Sequence, residues 1–495
     1  MSTLATTQQY ESLLKEYIAQ EKAAVDIISA VGHLMFEKSV ELVLFRNPLV
    51  DVTVSHILNL HRYAQDVVKK PIDLKETAEL AKAIMTTADL APSKIDIGRL
   101  TREWTAEKDA FKTSARAGTD GKDDFIKNKL AKYIGQPSAK LIPRDVVLFG
   151  FGRIGRIAAR ELVKQAGKGQ QLRLRAIVSR GVSDKDIVKR AALMRRDSVH
   201  GTFPGTIVED LENKALIING QTVKMIEATN PQDVDYTQYG IKDALLIDNT
   251  GVYKERETLK AHLEAKGISK VLLTAPGKEI PNIVYGVNHK TLDIDSETIY
   301  SAASCTTNAI ATVLSVIESK IGVEKGHVET VHAYTNDQNL LDNMHKSSRR
   351  GRSAAINMVI TETGAGKAVT KCIPSLKDKL TANAVRVPIP NGSLAVLALS
   401  LNKAVTRDEL NDLIKDAALN SELVNQINYS IDPELVSSDI VGNSCCSVFD
   451  SNATIVSTDG KSVVLYVWYD NEFGYTKQVL RLAKYISKVS RLVYY

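Results

Sequence analysis

The sequence predicts an α/β protein: a doubly wound parallel sheet, then a mixed or antiparallel α+β domain, with an all-α extension in front. Three observations predict it. A helical apolar period fills the first 110 or so residues, short apolar runs alternate with helical stretches from residue 146, and a glycine-rich turn directly follows the first of those runs.

In the extension, Tyr10, Leu13, Leu14, Tyr17 and Ile18 recur at i, i+3, i+4, i+7 and i+8, the stripe of an amphipathic helix. Pro48, Pro71 and Pro92 interrupt the pattern, because proline lacks the amide donor and clashes with the preceding turn, so three to five helices are expected. Gly, Ser, Asp and Pro gather from Ser114 to Asp124 and from Gly135 to Ser138, which predicts a loop, a linker and a boundary near residue 140. His33, His56 and His61 lack the i, i+4 spacing of a helical metal pair and read as packing residues.

Beyond the boundary, Val146 to Phe149, Leu174 to Val178, Leu245 to Ile247 and Val271 to Leu273 read as strands covered on both faces by crossover helices. The first leads into Gly150-Phe151-Gly152-Arg153-Ile154-Gly155 and a helical run to Lys164. This strand, turn and helix is the context in which G-x-G-x-x-G seats a dinucleotide pyrophosphate on helix N-terminal amides. The second strand ends in Val178-Ser179-Arg180, where an acidic residue holds the ribose hydroxyls in NAD-binding folds of this kind. Without that carboxylate a 2′-phosphate is not repelled, and Arg180 could pair with it, so the cofactor is read as NAD or NADP with the preference open.

Tyr300 to Ala309 carries an apolar strand into a helix and sets Cys305 at the helix N-terminus, where the dipole and free amides favour a thiolate. His332 is the natural partner base. Val385 to Val387, Leu394 to Leu401 and Val463 to Trp468 alternate as strands of the second domain.

Composition narrows the function classes. The net charge of +6 is too small and too dispersed for a nucleic-acid groove, and no apolar run approaches a membrane span. The residues after Met1 lack the pattern of a signal peptide, so a cytoplasmic protein is expected. Four cysteines form neither a disulfide framework nor a metal-ligand spacing; Cys372, Cys445 and Cys446 read as structural and no metal is expected.

Ser304-Cys305-Thr306-Thr307-Asn308 resembles the nucleophile motif of the phosphorylating glyceraldehyde-3-phosphate dehydrogenase family. Other family landmarks follow in order: Gly150 to Gly155, Asp197 to Gly201, Thr274-Ala275-Pro276, Gly286 to His289, His332, Thr361 to Gly364, Arg386-Val387-Pro388 and Trp468 to Tyr475. The resemblance covers about residues 141 to 495. It implies a Rossmann-type NAD(P)-binding domain over 141–304, completed by a C-terminal helix over 471–495, and a catalytic domain over 305–470, behind the extension at 1–140.

The resemblance also implies oxidation of glyceraldehyde 3-phosphate with inorganic phosphate, reversibly, through a thioester on Cys305 with His332 as base. Gly150, Gly152, Arg153, Ile154, Gly155, Arg180, Thr274 and Asn471 then serve the cofactor. Thr335, Asp337 and Arg386 bear on the substrate phosphate, and Ser304, Thr306, Thr363, Gly364 and Arg350 on the inorganic one. A homotetramer is implied as well. Departures are Ala309, where many members carry a second Cys, and Asn343-Met344, where NAD-specific members have Leu-Pro. The alternatives are an erythrose-4-phosphate dehydrogenase and a non-catalytic regulatory homologue. Thr335 and Thr363-Gly364 favour the triose and a phosphate acceptor, and an intact Cys305 and His332 favour turnover.

Overall fold

A computed structural model describes residues 2–114, 120–135, 142–167, 169 and 171–495. The loop expected from Ser114 to Asp124 lies outside the described residues over 115–119, as do 136–138 of the expected linker and the expected boundary near 140. The chain divides into two compact units, one of residues 1–143, 166–171 and 489–495, the other of 144–165 and 172–488.

The first unit contains α1 (Ser2–Lys38), β1 (Glu41–Leu44), β2 (Asn47–Pro48), α2 (Val54–Asp66), α3 (Leu74–Thr86), β3 (Ser93–Asp96), α4 (Ile97–Ser114) and α5 (Lys122–Lys129). Ile27, Leu34, Leu42, Ile57, Leu80, Ile84, Leu100 and Trp104 form its core, with Phe125 set edge-on to Trp104 at 5.3 Å. Pro71 separates α2 from α3 as expected. The expectation of an all-α extension is corrected in one respect. Pro48 and Pro92 lie at strands, and β2, β1 and β3 form a sheet whose fourth strand is Leu492–Tyr494, paired parallel to β3. Arg491 anchors that strand, donating from Nε to the Ser39 carbonyl at 2.9 Å and pairing with Glu41 at 3.2 Å. The expected helix over 471–495 is likewise shorter than the sequence suggested.

The second unit opens with β4 (Arg144–Phe149), α6 (Arg153–Lys164), β5 (Leu172–Ser179), α7 (Asp184–Arg195), the short pair β6 (Arg196–Asp197) and β7 (Gly201–Thr202), β8 (Ile207–Asp210), β9 (Ala215–Ile218) and β10 (Gln221–Glu227). It continues with β11 (Ala244–Asp248), α8 (Arg256–Glu264), β12 (Ile268–Leu273) and β13 (Ile299–Ser301). β6 and β7 pair only with each other, and the other strands form one sheet in the order β13-β12-β11-β4-β5-β10-β9-β8, parallel from β13 to β10. Val146 to Phe149 of β4, Ala176 to Val178 of β5 and Ala244 to Ile247 of β11 are continuous buried apolar runs, as a parallel sheet covered on both faces requires, while β5 begins by alternating Leu172 and Leu174 with half-buried Arg173 and Arg175.

The later part of this unit comprises α9 (Cys305–Lys320), β14 (Val323–Ala333), β15 (Val359–Thr361), α10 (Ala365–Cys372), β16 (Leu380–Val387), β17 (Ser393–Leu401) and α11 (Arg407–Asn420). It ends with β18 (Ile427–Ser430), β19 (Ser447–Asp450), β20 (Ile455–Val456) and β21 (Ser462–Tyr469). Its mixed sheet runs β15-β16-β14-β17-β21-β19-β18, with β14/β16 and β18/β19 parallel. The chain then returns to the parallel sheet's helices as α12 (Phe473–Ile486), whose Lys477 pairs with Glu161 of α6 at 2.7 Å.

Candidate functional site

Cys305 is the first residue of α9, and the turn that delivers it is tightly bound. Ala303 has φ of 55°, an unfavourable conformation for a residue with a Cβ. Its amide donates to Ser301 Oγ at 3.0 Å and its carbonyl accepts from Tyr475 OH at 2.8 Å. Asn308 donates to the Ala302 and Ser304 carbonyls at 2.8 and 2.9 Å. Ser304 caps the helix, accepting from the Thr307 amide at 3.0 Å.

The neighbouring sheet presents the base. His332 and Arg386 are register partners on β14 and β16, and His332 Nε2 stands 3.5 Å from Cys305 Sγ. His332 Nδ1 lies 2.7 Å from the Ala333 carbonyl. A carbonyl only accepts, so this contact favours a proton on Nδ1, which leaves the Nε2 lone pair for the thiol, whereas Arg386 Nη1, 2.9 Å from the same Nδ1, only donates and favours the opposite tautomer. Arg386 Nη1 donates to the same carbonyl at 2.9 Å.

Burial, reinforced by the positive charges of Arg386 and Arg350, pulls His332 down to about 3. Burial pushes the Cys305 thiol above its ordinary range, with Arg386 and the Thr306 and Cys305 amides opposing. Burial thus works against the helix N-terminus at Cys305, whose amides favour the thiolate.

The residues expected around the two phosphates divide into groups. Arg386 is half-buried, and its Nε makes no hydrogen bond among the described residues. Arg350 forms an ion pair with Asp337 and donates to Thr361 Oγ1 at 3.0 Å. A carboxylate can only accept, so Asp337 orients Arg350 rather than meeting an anion itself. Thr335 is exposed beyond β14. Thr363 Oγ1 accepts the Ala365 amide at 3.2 Å, and Gly364 begins α10 with open space where a Cβ would stand. The Thr306 hydroxyl contacts Tyr469 OH at 3.0 Å.

The dinucleotide turn lies between β4 and α6. Gly150 has φ of 92°, and a Cβ on Gly155 would stand 2.4 Å from the Gly150 carbonyl, so both positions require glycine. Gly152 is the N-cap of α6 without a side-chain cap, and a Cβ there would meet nothing within 4 Å. Open space above uncapped helix amides fits a pyrophosphate. Ile154 follows within the first turn of α6.

The Arg153 side chain is engaged elsewhere, by Glu472 and Asp197, and His200 Nε2 joins Glu472 at 2.8 Å. Arg180 is exposed just beyond β5. The Thr274 amide and hydroxyl both donate to the Asp248 carbonyl, at 3.0 and 2.9 Å. Asn471 Oδ1 accepts from Ser393 Oγ at 2.8 Å, which fixes the orientation of the Asn471 amide.

Two family models match the second unit: the glyceraldehyde 3-phosphate dehydrogenase NAD binding domain over residues 144–256 and its C-terminal domain over 304–471. A glyceraldehyde-3-phosphate dehydrogenase-like protein of Pseudomonas aeruginosa is 46% identical over 468 residues, spanning 94% of this chain and 99% of the relative. The chain belongs to the glyceraldehyde-3-phosphate dehydrogenase family. The glyceraldehyde-3-phosphate dehydrogenase of Clostridium pasteurianum is 40% identical over 351 residues, 70% of this chain and 99% of the relative. That of Clostridium acetobutylicum is 38% identical over 351 residues. A match of 468 residues exceeds the stretch from 144 to 495, so most of the extension is shared with the Pseudomonas protein. The family membership assigns a dehydrogenase with NAD or NADP as cofactor. Among the described residues no helix is long and apolar enough to cross a membrane, and no cluster of side chains could hold a metal.

Several residues that build this family site were not singled out from sequence. Tyr469 OH bridges Thr306 and Thr330, at 3.0 and 2.7 Å, beneath the Cys305 turn. Asp248, fully buried, accepts from Thr250 N and Oγ1 at 2.7 Å and from His262 Nε2 at 2.9 Å. Asp470 caps the start of α12 through the Glu472 and Phe473 amides. Of these, Tyr469 and Asp470 sit inside a motif that the sequence displayed; Asp248 and His262 carry no local signal.

Proposed function

We propose that the protein oxidises glyceraldehyde 3-phosphate to 1,3-bisphosphoglycerate, coupled to inorganic phosphate and to NAD or NADP, in a reversible reaction. The observation that carries this reading is the 3.5 Å approach of Cys305 Sγ to a neutral His332 Nε2, with the Arg386 guanidinium alongside.

Cys305 Sγ adds to the aldehyde carbon while its proton passes through His332 to the carbonyl oxygen, giving a hemithioacetal. His332 Nε2 then removes the hydroxyl proton as the carbon gives up hydride, and a thioester on Cys305 remains. The bound nicotinamide ring supplies the hydride acceptor. Inorganic phosphate attacks the thioester carbon, the C–S bond breaks, and the acyl phosphate leaves with Cys305 restored. The Cys305 amide at the N-terminus of α9 stabilises the oxyanion.

Arg386 and Thr335 hold the substrate phosphate in this reading. Ser304, Thr306, Thr363, Gly364 and Arg350 hold the attacking one, with Asp337 orienting Arg350. A phosphate on Arg386 neutralises part of the charge that suppresses His332, so substrate binding itself readies the base. Gly150 to Gly155 would seat the pyrophosphate, Asn471 would hold the nicotinamide amide, Thr274 would serve the same cofactor, and Arg180 would take a 2′-phosphate when NADP is the cofactor.

Initial rates with NAD and NADP, with and without phosphate, test the proposal. Phosphate-dependent reduction abolished in Cys305→Ala is expected. Folded protein without turnover on glyceraldehyde 3-phosphate, but active on erythrose 4-phosphate, would reassign the substrate.

A further inference from the structure

Arg153 belongs to the dinucleotide turn through its backbone and to a distant segment through its side chain. It is the first residue of α6, directly after the uncapped Gly152, so its amide is one of the free donors at the helix N-terminus. Its guanidinium ends as a fork on Glu472: Nη2 lies 2.6 Å from Oε2, and Nε pairs with Oε1. Two parallel hydrogen bonds between planar groups fix an orientation as well as a distance, which a single contact does not.

The fork is itself held from both sides. His200 Nε2 stands 2.8 Å from Glu472 Oε2, and Asp197 meets Arg153 Nη1 and Nη2 at 3.2 and 3.1 Å. Asp197 is fixed in turn by the Val199 and His200 amides, at 2.9 and 3.0 Å. The side chains range from 6% exposed for Asp197 to 28% for Arg153, so this is no loose surface pair of the kind that contributes little. Burial alone would raise the Glu472 carboxyl, yet the hydrogen bonds from His200 and Arg153 pull it below the ordinary carboxylate range, and it is the anion that meets the fork.

Glu472 directly follows Asn471, and the two share a short, tied segment. Asp470 Oδ1 accepts from the Glu472 and Phe473 amides at 2.9 and 2.7 Å, and Asn471 Oδ1 accepts from Ser393 Oγ at 2.8 Å. A dinucleotide touches both regions at once, its pyrophosphate on residues 150–155 and its nicotinamide at Asn471, and a slip of one against the other forfeits a contact. The Arg153–Glu472 fork bridges 319 residues of sequence between them. Lys477–Glu161 and Lys484–Gln165 also join α12 to α6, but toward the C-terminal ends of the two helices, so the fork is the link at the cofactor end.

We propose that Glu472 is a positioning residue for the cofactor: through its fork with Arg153 it sets the distance between the pyrophosphate turn and the Asn471 amide, so that both ends of NAD(P) are met together. The proposal rests on the reading of Asn471 as the partner of the nicotinamide amide.

Equilibrium titration of the full-length protein with NAD(P), and with the matching ADP-ribose that keeps the pyrophosphate and lacks the nicotinamide, tests this. Glu472→Gln puts a donor where the fork needs an acceptor; it is expected to weaken NAD(P) binding roughly 5- to 10-fold and ADP-ribose binding less than about twofold. Arg153→Lys, which keeps the charge and loses the fork, is expected to show the same selective loss, and it carries the test if Glu472→Gln does not fold. In an Asn471→Ala background Glu472→Gln is expected to cost nothing further, because it acts through that amide. Equal losses for NAD(P) and ADP-ribose mark a turn that has merely lost its structure and overturn the proposal, as do losses that add in the double variant or wild-type affinities in both single variants. Asn471→Ala that binds NAD(P) as tightly as wild type overturns the reading of Asn471, and the proposal with it.

Discussion

Arg386 Nη1 lies 2.9 Å from His332 Nδ1 and equally close to the Ala333 carbonyl. One guanidinium thus suppresses the positive form of the base and favours the thiolate of Cys305.

Removing the charge should move both partners. In Arg386→Gln the midpoint for Cys305 alkylation by iodoacetamide is expected to shift to higher pH, because a cation that favours the thiolate is gone. In wild type the rate should still be rising above the pH where an ordinary thiol has titrated, since burial raises this one. A midpoint below that of a free thiol would contradict the burial argument.

His332 makes stability depend on pH in the acid range. Its folded value of about 3 lies below the ordinary histidine value of about 6.5. Between these limits the unfolded chain binds a proton that the folded chain refuses, so this residue lowers stability as the pH falls. His332→Gln should flatten denaturant midpoints between pH 6.5 and 4, while lowering kcat by roughly 10²- to 10⁴-fold at pH 7.

Tyr469→Phe removes the hydroxyl that joins Thr306 and Thr330. Both threonines are buried, so a loss of about 1–3 kcal/mol is expected in chemical denaturation. The thioester step, which needs Thr306 in place, should slow more than hydride transfer in single-turnover measurements.

His262→Leu should weaken NAD(P) binding roughly 5- to 10-fold by fluorescence titration, with kcat at saturating cofactor largely retained. The reason is that Asp248 holds Thr250 through its carboxylate and Thr274 through its carbonyl, and loses its His262 donor. Partial recovery in His262→Gln, which restores an amide donor, would separate this role from simple packing.

The second unit was legible because its signals are local. Gly150 to Gly155 lie within one turn, the strands Val146 to Phe149 and Leu245 to Ile247 are continuous apolar runs, and Cys305 starts a helix with its own Ser304 cap. What stayed hidden depends on distance or environment. The thiol's protonation follows from how much of the protein surrounds Cys305, which residue order does not express. Asp248 and His262 meet through the fold. The sheet of the first unit escaped because β1 and β3 have four residues each and β3 finds its outer partner at Leu492–Tyr494.

That last pairing sets a schedule for synthesis. Ser93 leaves the ribosome 399 residues before Leu492, its register partner, which at roughly 5–20 residues per second is an interval of about 20–80 s. Through that time the outer edge of β3 is an open template for any passing strand, and a nascent chain must keep it shielded. Nor is the extension a detachable module: cutting at residue 143 parts three strands of the sheet from the fourth.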